Sequence, residues 1–225
     1  MYTLREKWLI YSSMILVSVI TITNLMESVF KFNSIEFQCF SKNVTYNSTC
    51  PENKIERCEW IKFDQSVWSS NLVSELGLVC DRSWLISLPN YAWFFGMFLT
   101  TFTLQFPDYF GRAKLVVFSQ GTLTLLLFLG ASTKSIYVAF FLRLLQGFFM
   151  LTCYNAMYTY YIEAVPTSKR SQLGVIPDLG SALSSCLYAT VGFIFRDWQH
   201  QAYALGKGYI FCFCQTKSPR CSLLL

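Results

Sequence analysis

The sequence has 225 residues, of which 53% are hydrophobic and only 14% are charged, and its mean hydropathy is +0.38. Soluble domains carry roughly 25% charged residues, so this composition argues against a soluble protein. The formal net charge of +5 is no argument for nucleic-acid binding in so apolar a chain, because the placement of Lys and Arg matters there more than their sum.

Five apolar runs contain most of the hydrophobic residues. Each is close to the ~20 residues that a helix needs to cross a bilayer. A sixth run starts near Trp198 and is interrupted. A soluble all-α protein with buried helices is the alternative, but five such runs with so few charges favour an all-α polytopic membrane protein. The runs are Trp8–Phe30, Leu85–Phe106, Leu115–Ser132, Ile136–Tyr161 and Gln172–Phe195.

The first run is too long for the core of a signal peptide, and no small-residue cleavage site follows it, which is typical of a retained anchor. Loops rich in Lys and Arg stay in the cytoplasm. The cationic side holds the N-terminus and the loops 107–114 and 164–171, whereas the short loops of the other side carry Lys134 and Arg196. We therefore expect a multi-pass plasma-membrane protein with a cytoplasmic N-terminus and an extracellular loop over Lys31–Trp84.

Two features of this long loop agree with an extracellular position. Asn43 and Asn47 each begin a glycosylation sequon. The loop also has four cysteines, which in an oxidising compartment predict two disulfides with three possible pairings. Four free thiols in a cytosolic loop are the alternative, and they would invert the topology. The cysteines are Cys39, Cys50, Cys58 and Cys80.

A short charged loop, FPDYFGRAK, separates the second and third runs. Gly111 permits a tight reversal of the chain, and Asp108 is placed to pair with Arg112 or with a neighbouring helix end. A charged turn without further function is the alternative. The loop resembles the G-x-x-x-D-R-x-G-R-R/K motif between helices two and three of the major facilitator superfamily, with Asp108, Gly111 and Arg112 matching. Leu104 and Tyr109 depart from that motif.

The fourth run carries a second resemblance to the same superfamily. Its segment RLLQG, Arg143–Gly147, is similar to the R-x-x-Q-G element of fourth helices. An arginine inside a span is costly and is a functional candidate. Arg143 is expected either to hold a helix–helix contact or to face a polar cavity. The alternative is snorkelling to the outer interface, which lies only roughly 10 Å away.

Three further segments are similar to organic cation, organic anion and carnitine transporters. VSELGLVCDRSWL resembles the stretch before their second helix, and GFIFRDWQHQAYAL resembles their fifth-to-sixth turn. YYIEAVPTSKR resembles their fourth-to-fifth loop, in which an acid, Glu163, precedes a basic pair that ends at Arg170. The resemblance implies the N-terminal six-helix half of a major facilitator fold and transport of small organic ions by alternating access.

The expected organisation follows from this resemblance. The N-terminus and first helix occupy 1–30, the extracellular loop 31–84, the second helix to the start of the sixth 85–205, and an atypical tail 206–225. Because transporters of this family have about twelve helices in two halves, three possibilities stay open. The chain is part of a longer transporter, which we favour, or a non-transporting membrane glycoprotein that associates with full-length relatives, or a parallel homodimer.

Polar residues inside spans are expected to line a substrate path, because lipid-facing ones are expensive. The alternatives are a position at the interface for Glu27, an interfacial salt bridge for Asp178, and packing or an interfacial aromatic belt for Tyr158. These candidates are Glu27, Asn155, Tyr158 and Asp178.

Enzymatic chemistry is not expected. His200 is the only histidine, and no paired carboxylates, nucleophile elbow or phosphate loop is present. The expected partners are therefore the lipid bilayer and a small organic ion, with no nucleic acid, metal or organic cofactor.

Overall fold

The structure is a computed structural model that describes residues 14–15, 18–19, 21–24, 26–28, 31–32, 36–41, 44–47, 60–63, 71–103, 105–165, 167, 170–204 and 206. Its described helical residues between 14 and 31 are called the N-terminal helical segment. Residues 198–204 are helical as well. The α-helices between them are α1 (Leu72–Leu76), α2 (Leu88–Thr100), α3 (Phe106–Phe110), α4 (Arg112–Ala131), α5 (Ile136–Ala164) and α6 (Arg170–Ile194).

Two helices of the described part of the chain, α4 and α5, are long and apolar enough to cross a membrane. The qualifying stretches are Lys114–Ala131 and Ile136–Glu163, and they coincide with the third and fourth predicted runs. Helix α6 has 25 residues, or about 37 Å at 1.5 Å per residue. Its length therefore suits a span, but Pro177, Asp178 and several serines make it less apolar.

The second predicted run, Leu85–Phe106, is not one continuous α-helix. A 3-10 helix (Cys80–Ile86) precedes α2, and a second one (Thr101–Thr103) follows it. Pro89 starts α2, because a proline lacks the N–H that the first helical turn does not use. At the other end of α2, the hydroxyls of Thr101 and Thr103 each donate to the carbonyl oxygen three residues earlier, which favours a tighter turn. Apolar length alone does not reveal these signals.

The loop between the first two predicted spans contains a small antiparallel sheet. Its central strand pairs with both neighbours, so that Cys39 lies opposite Tyr46 on one side and Ile61 on the other. The all-α prediction is therefore wrong for this loop. Aromatic and β-branched residues favour strands there. However, segments of four or five residues give a much weaker sequence signal than the long apolar runs do. The strands are β1 (Phe37–Ser41), β2 (Val44–Asn47) and β3 (Trp60–Phe63).

Helices α2 and α5 touch backbone to backbone. A Cβ added at Gly96 would overlap a carbonyl oxygen of α5, and one added at Gly147 would overlap a carbonyl oxygen of α2. Thr100 Oγ1 also donates to the Phe148 carbonyl oxygen at 3.0 Å across this crossing. Small residues permit such close approach in membrane helix pairs, and the two glycines therefore position α5.

Two apolar clusters fill the interior. The first lies among the N-terminal helical segment, α2, α4 and α5, and is built from Met14, Trp93, Leu123, Met150, Cys153, Met157, Tyr161 and Val165. The second lies at the end of the bundle where α5 begins, which is called the Ile136 end. It is built from Phe32, Leu72, Val73, Leu78, Ile136, Ala139 and Trp198.

Through the second cluster, the loop helix α1 packs on the Ile136 end. A capping box starts α1, since Asn71 Oδ1 accepts from the Ser74 amide at 2.8 Å and the Asn71 amide donates to Ser74 Oγ at 3.1 Å. Gly77 ends the helix with a left-handed φ of +58°, a conformation that glycine adopts at little cost. The apolar residues Leu72 and Val73 are buried as a result.

Candidate functional site

Charged side chains gather at both ends of α5. At the Ile136 end, Glu27 and Lys31 of the N-terminal helical segment meet Arg143 and Gln146 of α5, and all four are at most 3% exposed. This group is called the buried ion cluster. At the opposite end, called the Glu163 end, Asp108 and Arg112 meet Glu163, and this group is called the loop ion cluster.

Glu27 is the centre of the buried ion cluster. Its Oε2 lies 3.5 Å from Arg143 Nη2 and accepts from Gln146 Nε2 at 3.5 Å, while its Oε1 lies 3.6 Å from Lys31 Nζ. Helical spacing brings these groups together, because residues three or four apart share a face: Glu27 with Lys31, and Arg143 with Gln146. One carboxylate therefore serves two buried cations.

Arg143 holds a helix–helix contact. Its Nη1 donates to the Asn24 carbonyl oxygen of the N-terminal helical segment at 2.9 Å, in addition to the pairing with Glu27. Its side chain is only 3% exposed, so it does not reach outward as a snorkelling arginine would. The sequence left open a helix–helix contact, a position facing a polar cavity, or snorkelling. In the structure Arg143 makes a helix–helix contact. Tyr188 of α6 is buried within electrostatic range of the same arginine and of Glu27.

The loop ion cluster joins the charged loop to the far end of α5. Arg112 Nη2 donates to Asp108 Oδ1 at 2.9 Å, and Arg112 Nη1 pairs with Glu163 Oε2. The Arg112 side chain is 24% exposed, whereas those of Asp108 and Glu163 are 65% and 58% exposed. Water therefore reaches this cluster, in contrast to the buried one.

Gly111 gives the charged loop its shape. Its φ of +85° is in the region that favours glycine, and it separates α3 from α4 as the N-cap of α4. Asp108 and Arg112 thereby face each other at spacing four. Arg170 is the exposed first residue of α6, and within the described residues no ion pair is found for it.

The remaining path candidates lie apart from both clusters. Asn155 is half-buried and Tyr158 is 38% exposed on α5, where the Tyr158 ring stacks on Tyr154 at 6.5 Å between centroids and 3° between planes. Asp178 is exposed on α6, near enough to Tyr154 for its charge to act on that ring. Lys169, the other member of the basic pair that ends at Arg170, lies outside the described residues.

The loop candidates are described only in part. Cys39 and Cys80 are both disulfide-bonded. Asn47 ends β2. The other three candidates, Asn43, Cys50 and Cys58, lie outside the described residues.

Some participants were not predicted from the sequence. Lys31 and Gln146 belong to the buried ion cluster, and Gly96 forms the other half of the contact with Gly147. Signals for them exist: Lys31 follows Glu27 at spacing four, Gln146 belongs to the RLLQG segment, and Gly96 is a small residue within an aromatic run. The pairing of Arg112 with Glu163 joins distant parts of the sequence, and its only signal is that both residues were expected at helix ends on the same side.

Comparison with known proteins identifies the family. The profile of "Sugar (and other) transporter" matches residues 23–214, which is most of the chain. The chain belongs to this family. As a member of this family it is a multi-pass membrane protein of the major facilitator superfamily. The proteins to which it is similar include organic cation and carnitine transporters, in agreement with the resemblance of its sequence segments.

Individual relatives of this family member are distant and longer. It is 27% identical to "Organic cation/carnitine transporter 2" of Homo sapiens over 160 residues, 67% of this chain and 28% of the relative. It is 24% identical to "Organic cation/carnitine transporter 6" of Arabidopsis thaliana over 168 residues, which are 73% of this chain and 32% of the relative. It is 27% identical to "Beta-alanine transporter" of Drosophila melanogaster over 154 residues, which are 67% of this chain and 25% of the relative.

The chain thus spans about a quarter to a third of the length of these relatives. The family and the relatives are described as transporters or solute carriers, in agreement with the expectation that the chain is not an enzyme.

Proposed function

We propose that the chain takes part in transmembrane transport of small organic ions by alternating access, as the N-terminal half of a longer transporter. The observation that carries the proposal is the loop ion cluster, found at residues where the sequence resembles the superfamily motif and inside the stretch that the family profile matches. The substrates are cations, anions or zwitterions such as carnitine. The relatives' names point to organic cations and to the zwitterions carnitine and β-alanine.

The loop ion cluster has the energetics that a moving contact needs. Exposed ion pairs contribute roughly 0–1 kcal/mol each, so they orient helix ends without locking them. Arg112 ties the loop between α3 and α4 to the end of α5 through Glu163. A change of conformation at this end therefore breaks contacts at small cost, which suits a gate that opens in every transport cycle.

The buried ion cluster has the opposite character. Separating Glu27 from Arg143 leaves uncompensated buried charge, at a cost of several kcal/mol. The N-terminal helical segment and α5 are thus held as one body. Transporters of this superfamily alternate largely by rigid-body rocking of such bodies, so a rigid contact at one end of α5 and a weak one at the other fit the proposed function.

The proposed topology is a six-helix half with the loop 31–84 outside, the N-terminus in the cytoplasm and the protein in the plasma membrane. Three observations support it. Cationic residues are concentrated in the N-terminus and in two loops of one side. Cys39 and Cys80 are disulfide-bonded, as in an oxidising compartment. The sequons at Asn43 and Asn47 fall in the same loop.

The proposed substrate path runs past α5 and α6. Tyr158 and Asp178 are exposed, and Asn155 is half-buried on the same face of α5 as Tyr158. In a membrane-spanning helix such polar groups are expensive against lipid and belong in a water-filled cavity. Glu27, by contrast, is enclosed by two cations, so we propose a holding role for it rather than contact with substrate.

An uptake assay tests the proposed transport. The 225-residue chain and any longer product of the same gene are placed in proteoliposomes and offered tetraethylammonium, carnitine, β-alanine and an aromatic carboxylate. We expect uptake of one class by the longer product and a strong reduction by Asp178→Asn. Glu36→Gln, which neutralises an exposed acid before β1, is the matched control. Folded longer product that takes up none of the four classes would contradict the proposal.

A gel tests length and topology together. An antibody against the 31–84 loop is used on native membranes with and without deglycosylation. A band near twice the 26.0 kDa of this sequence that shifts on deglycosylation supports the longer transporter. A shifting band near 26.0 kDa supports the associating glycoprotein or the homodimer, which cross-linking then separates. A band that never shifts contradicts the extracellular loop.

A further inference from the structure

The ammonium group of Lys31, at the end of the N-terminal helical segment, is surrounded by a carbonyl oxygen, a carboxylate and two aromatic rings. Its Nζ donates to the Gly130 carbonyl oxygen at 2.7 Å and lies 3.6 Å from Glu27 Oε1. The same nitrogen lies 4.6 Å from the centre of the Trp198 ring and 5.8 Å from that of the Phe32 ring. The side chain is only 4% exposed, although lysines rarely leave water.

Each of these contacts is a means of recognising an ammonium ion. A carbonyl oxygen accepts one of its three N–H groups, a carboxylate balances its charge, and aromatic faces attract it electrostatically. Tryptophan is the most effective of the aromatic residues in that respect. These contacts are not those of a backbone turn or a helix cap, which form around many kinds of side chain. Together they are specific for a cation.

The walls of this site are built rather than incidental. Trp198 is 3% exposed, and its Nε1 donates to Glu75 Oε1 of α1 at 3.1 Å, which fixes the plane of the ring that faces Lys31. Phe32 is 5% exposed and also carries Arg143 over its face at 5.7 Å. Gly130 is buried at the end of α4. Trp198 and Phe32 are therefore held by contacts other than those with Lys31.

We propose that Glu27, Phe32, Gly130 and Trp198 form a binding site for a primary alkylammonium ion, which the chain's own Lys31 occupies as a tethered ligand. This site is called the ammonium cage. It lies at the Ile136 end, inside one bundle of helices, and it is separate from the path proposed along Tyr158 and Asp178. It does not depend on the proposed transport function.

In the native chain the tethered ammonium acts as a latch. Through it the N-terminal helical segment is bonded to the end of α4, and through Trp198 and Glu75 it is linked to α1 of the long loop. Burying an ammonium ion is costly unless it is paired and hydrogen-bonded, and the cage supplies both. The loop and the bundle are therefore joined at a site whose occupant is a cation.

Truncation and chemical rescue test the cage. Lys31→Ala removes three carbons and the nitrogen, the size of n-propylammonium. In purified full-length protein in detergent, we expect Lys31→Ala to lower the Tm and n-propylammonium to restore most of the loss in a saturable manner. The wild-type chain, whose cage is filled, should not respond, and neither should Lys62→Ala, which truncates an exposed lysine of β3.

Three comparisons make the test specific. Propanol and tetrapropylammonium should not rescue Lys31→Ala, because the first has no charge and the second has no N–H and is too large. Adding Trp198→Leu to Lys31→Ala should abolish the rescue. If Lys31→Ala does not fold alone, its folded yield with and without n-propylammonium during expression becomes the measurement. The proposal is overturned if the amine stabilises wild type and Lys31→Ala equally, or if it changes neither the Tm nor the yield.

Discussion

The two ends of α5 carry ion clusters of similar composition and opposite environment. The buried ion cluster places one carboxylate, Glu27, between two cations that are 3–4% exposed. The loop ion cluster places one cation, Arg112, between two carboxylates that are more than half exposed. The same kind of pairing therefore has different consequences: the buried partners depend on one another, whereas each exposed partner has water as a substitute.

This difference assigns the two ends different tasks. The Ile136 end is also where the loop helix α1 packs, through Leu72 and Val73, onto the bundle. At the Glu163 end, a glycine with φ of +85° separates two helices beside exposed charges. A rigid end and a yielding end on one helix provide what the proposed rocking motion needs. Matched substitutions at the two ends should therefore differ in their effect on stability.

Removing the central carboxylate of the buried ion cluster is expected to have the largest effect. Glu27→Ala leaves Lys31 and Arg143 buried without a counter-charge, and breaking a buried pair in this way costs about 3–5 kcal/mol. We expect a loss of that size in the free energy of unfolding, measured by denaturant titration in detergent. Glu163→Ala, the matched change at the exposed end, should cost at most about 1 kcal/mol. Equal losses for the two variants would remove the distinction between the clusters.

The glycine contact beside the buried ion cluster is expected to rank second. Gly147→Ala places a Cβ that overlaps a carbonyl oxygen of α2, so α2 and α5 must move apart. Overpacking of this kind typically costs about 1–3 kcal/mol, measured by the same titration.

Gly174→Ala is the control for the glycine contact. It lies in α6, and a Cβ there meets nothing within 4 Å, so the substitution should be neutral or slightly stabilising. A neutral Gly147→Ala would mean that the two helices are not held by this crossing, and that contacts elsewhere on α5 keep Arg143 in place.

Sequence alone predicts the elements that have a strong local signal. The runs that became α4 and α5 were predicted because apolar stretches of that length, with so few charges, are typical of membrane-spanning helices. The pairing of Asp108 with Arg112 was one of two expected for that carboxylate, because both residues lie within one short loop. The strand segments were missed, because four or five residues with a β tendency look like ordinary loop residues beside runs of twenty.

The rest depends on contacts between distant parts of the chain. Glu27 and Arg143 are more than a hundred residues apart, so no pattern in either helix shows that they pair. The sequence made Glu27 a candidate for the path, with an interfacial position as the alternative. The two buried cations around it become visible only when the helices are packed. Trp198 and Glu75 were each matched to family segments, but their hydrogen bond likewise required the fold.

Exchanging the charges of the loop ion cluster is expected to have the smallest effect on stability and the most informative one on its role. Arg112→Glu places three acids together, whereas Arg112→Glu with Glu163→Arg restores an opposite pair. We expect each variant to change the free energy of unfolding by at most about 1 kcal/mol. The loss in the single variant should shrink at ~1 M salt, where the Debye length is only about 3 Å.

A double-mutant cycle between Arg112 and Glu163 then isolates their coupling, which should lie near about 0.2–1 kcal/mol, in the range typical of exposed pairs. Coupling of several kcal/mol, or insensitivity to salt, would show that this end is as rigid as the other. The weak contact assigned to the moving end of α5 would then be wrong, because a gate held that tightly would not open in each cycle. Salt-sensitive coupling combined with unchanged stability would support a rigid contact at the Ile136 end of α5 and a weak, moving contact at its Glu163 end.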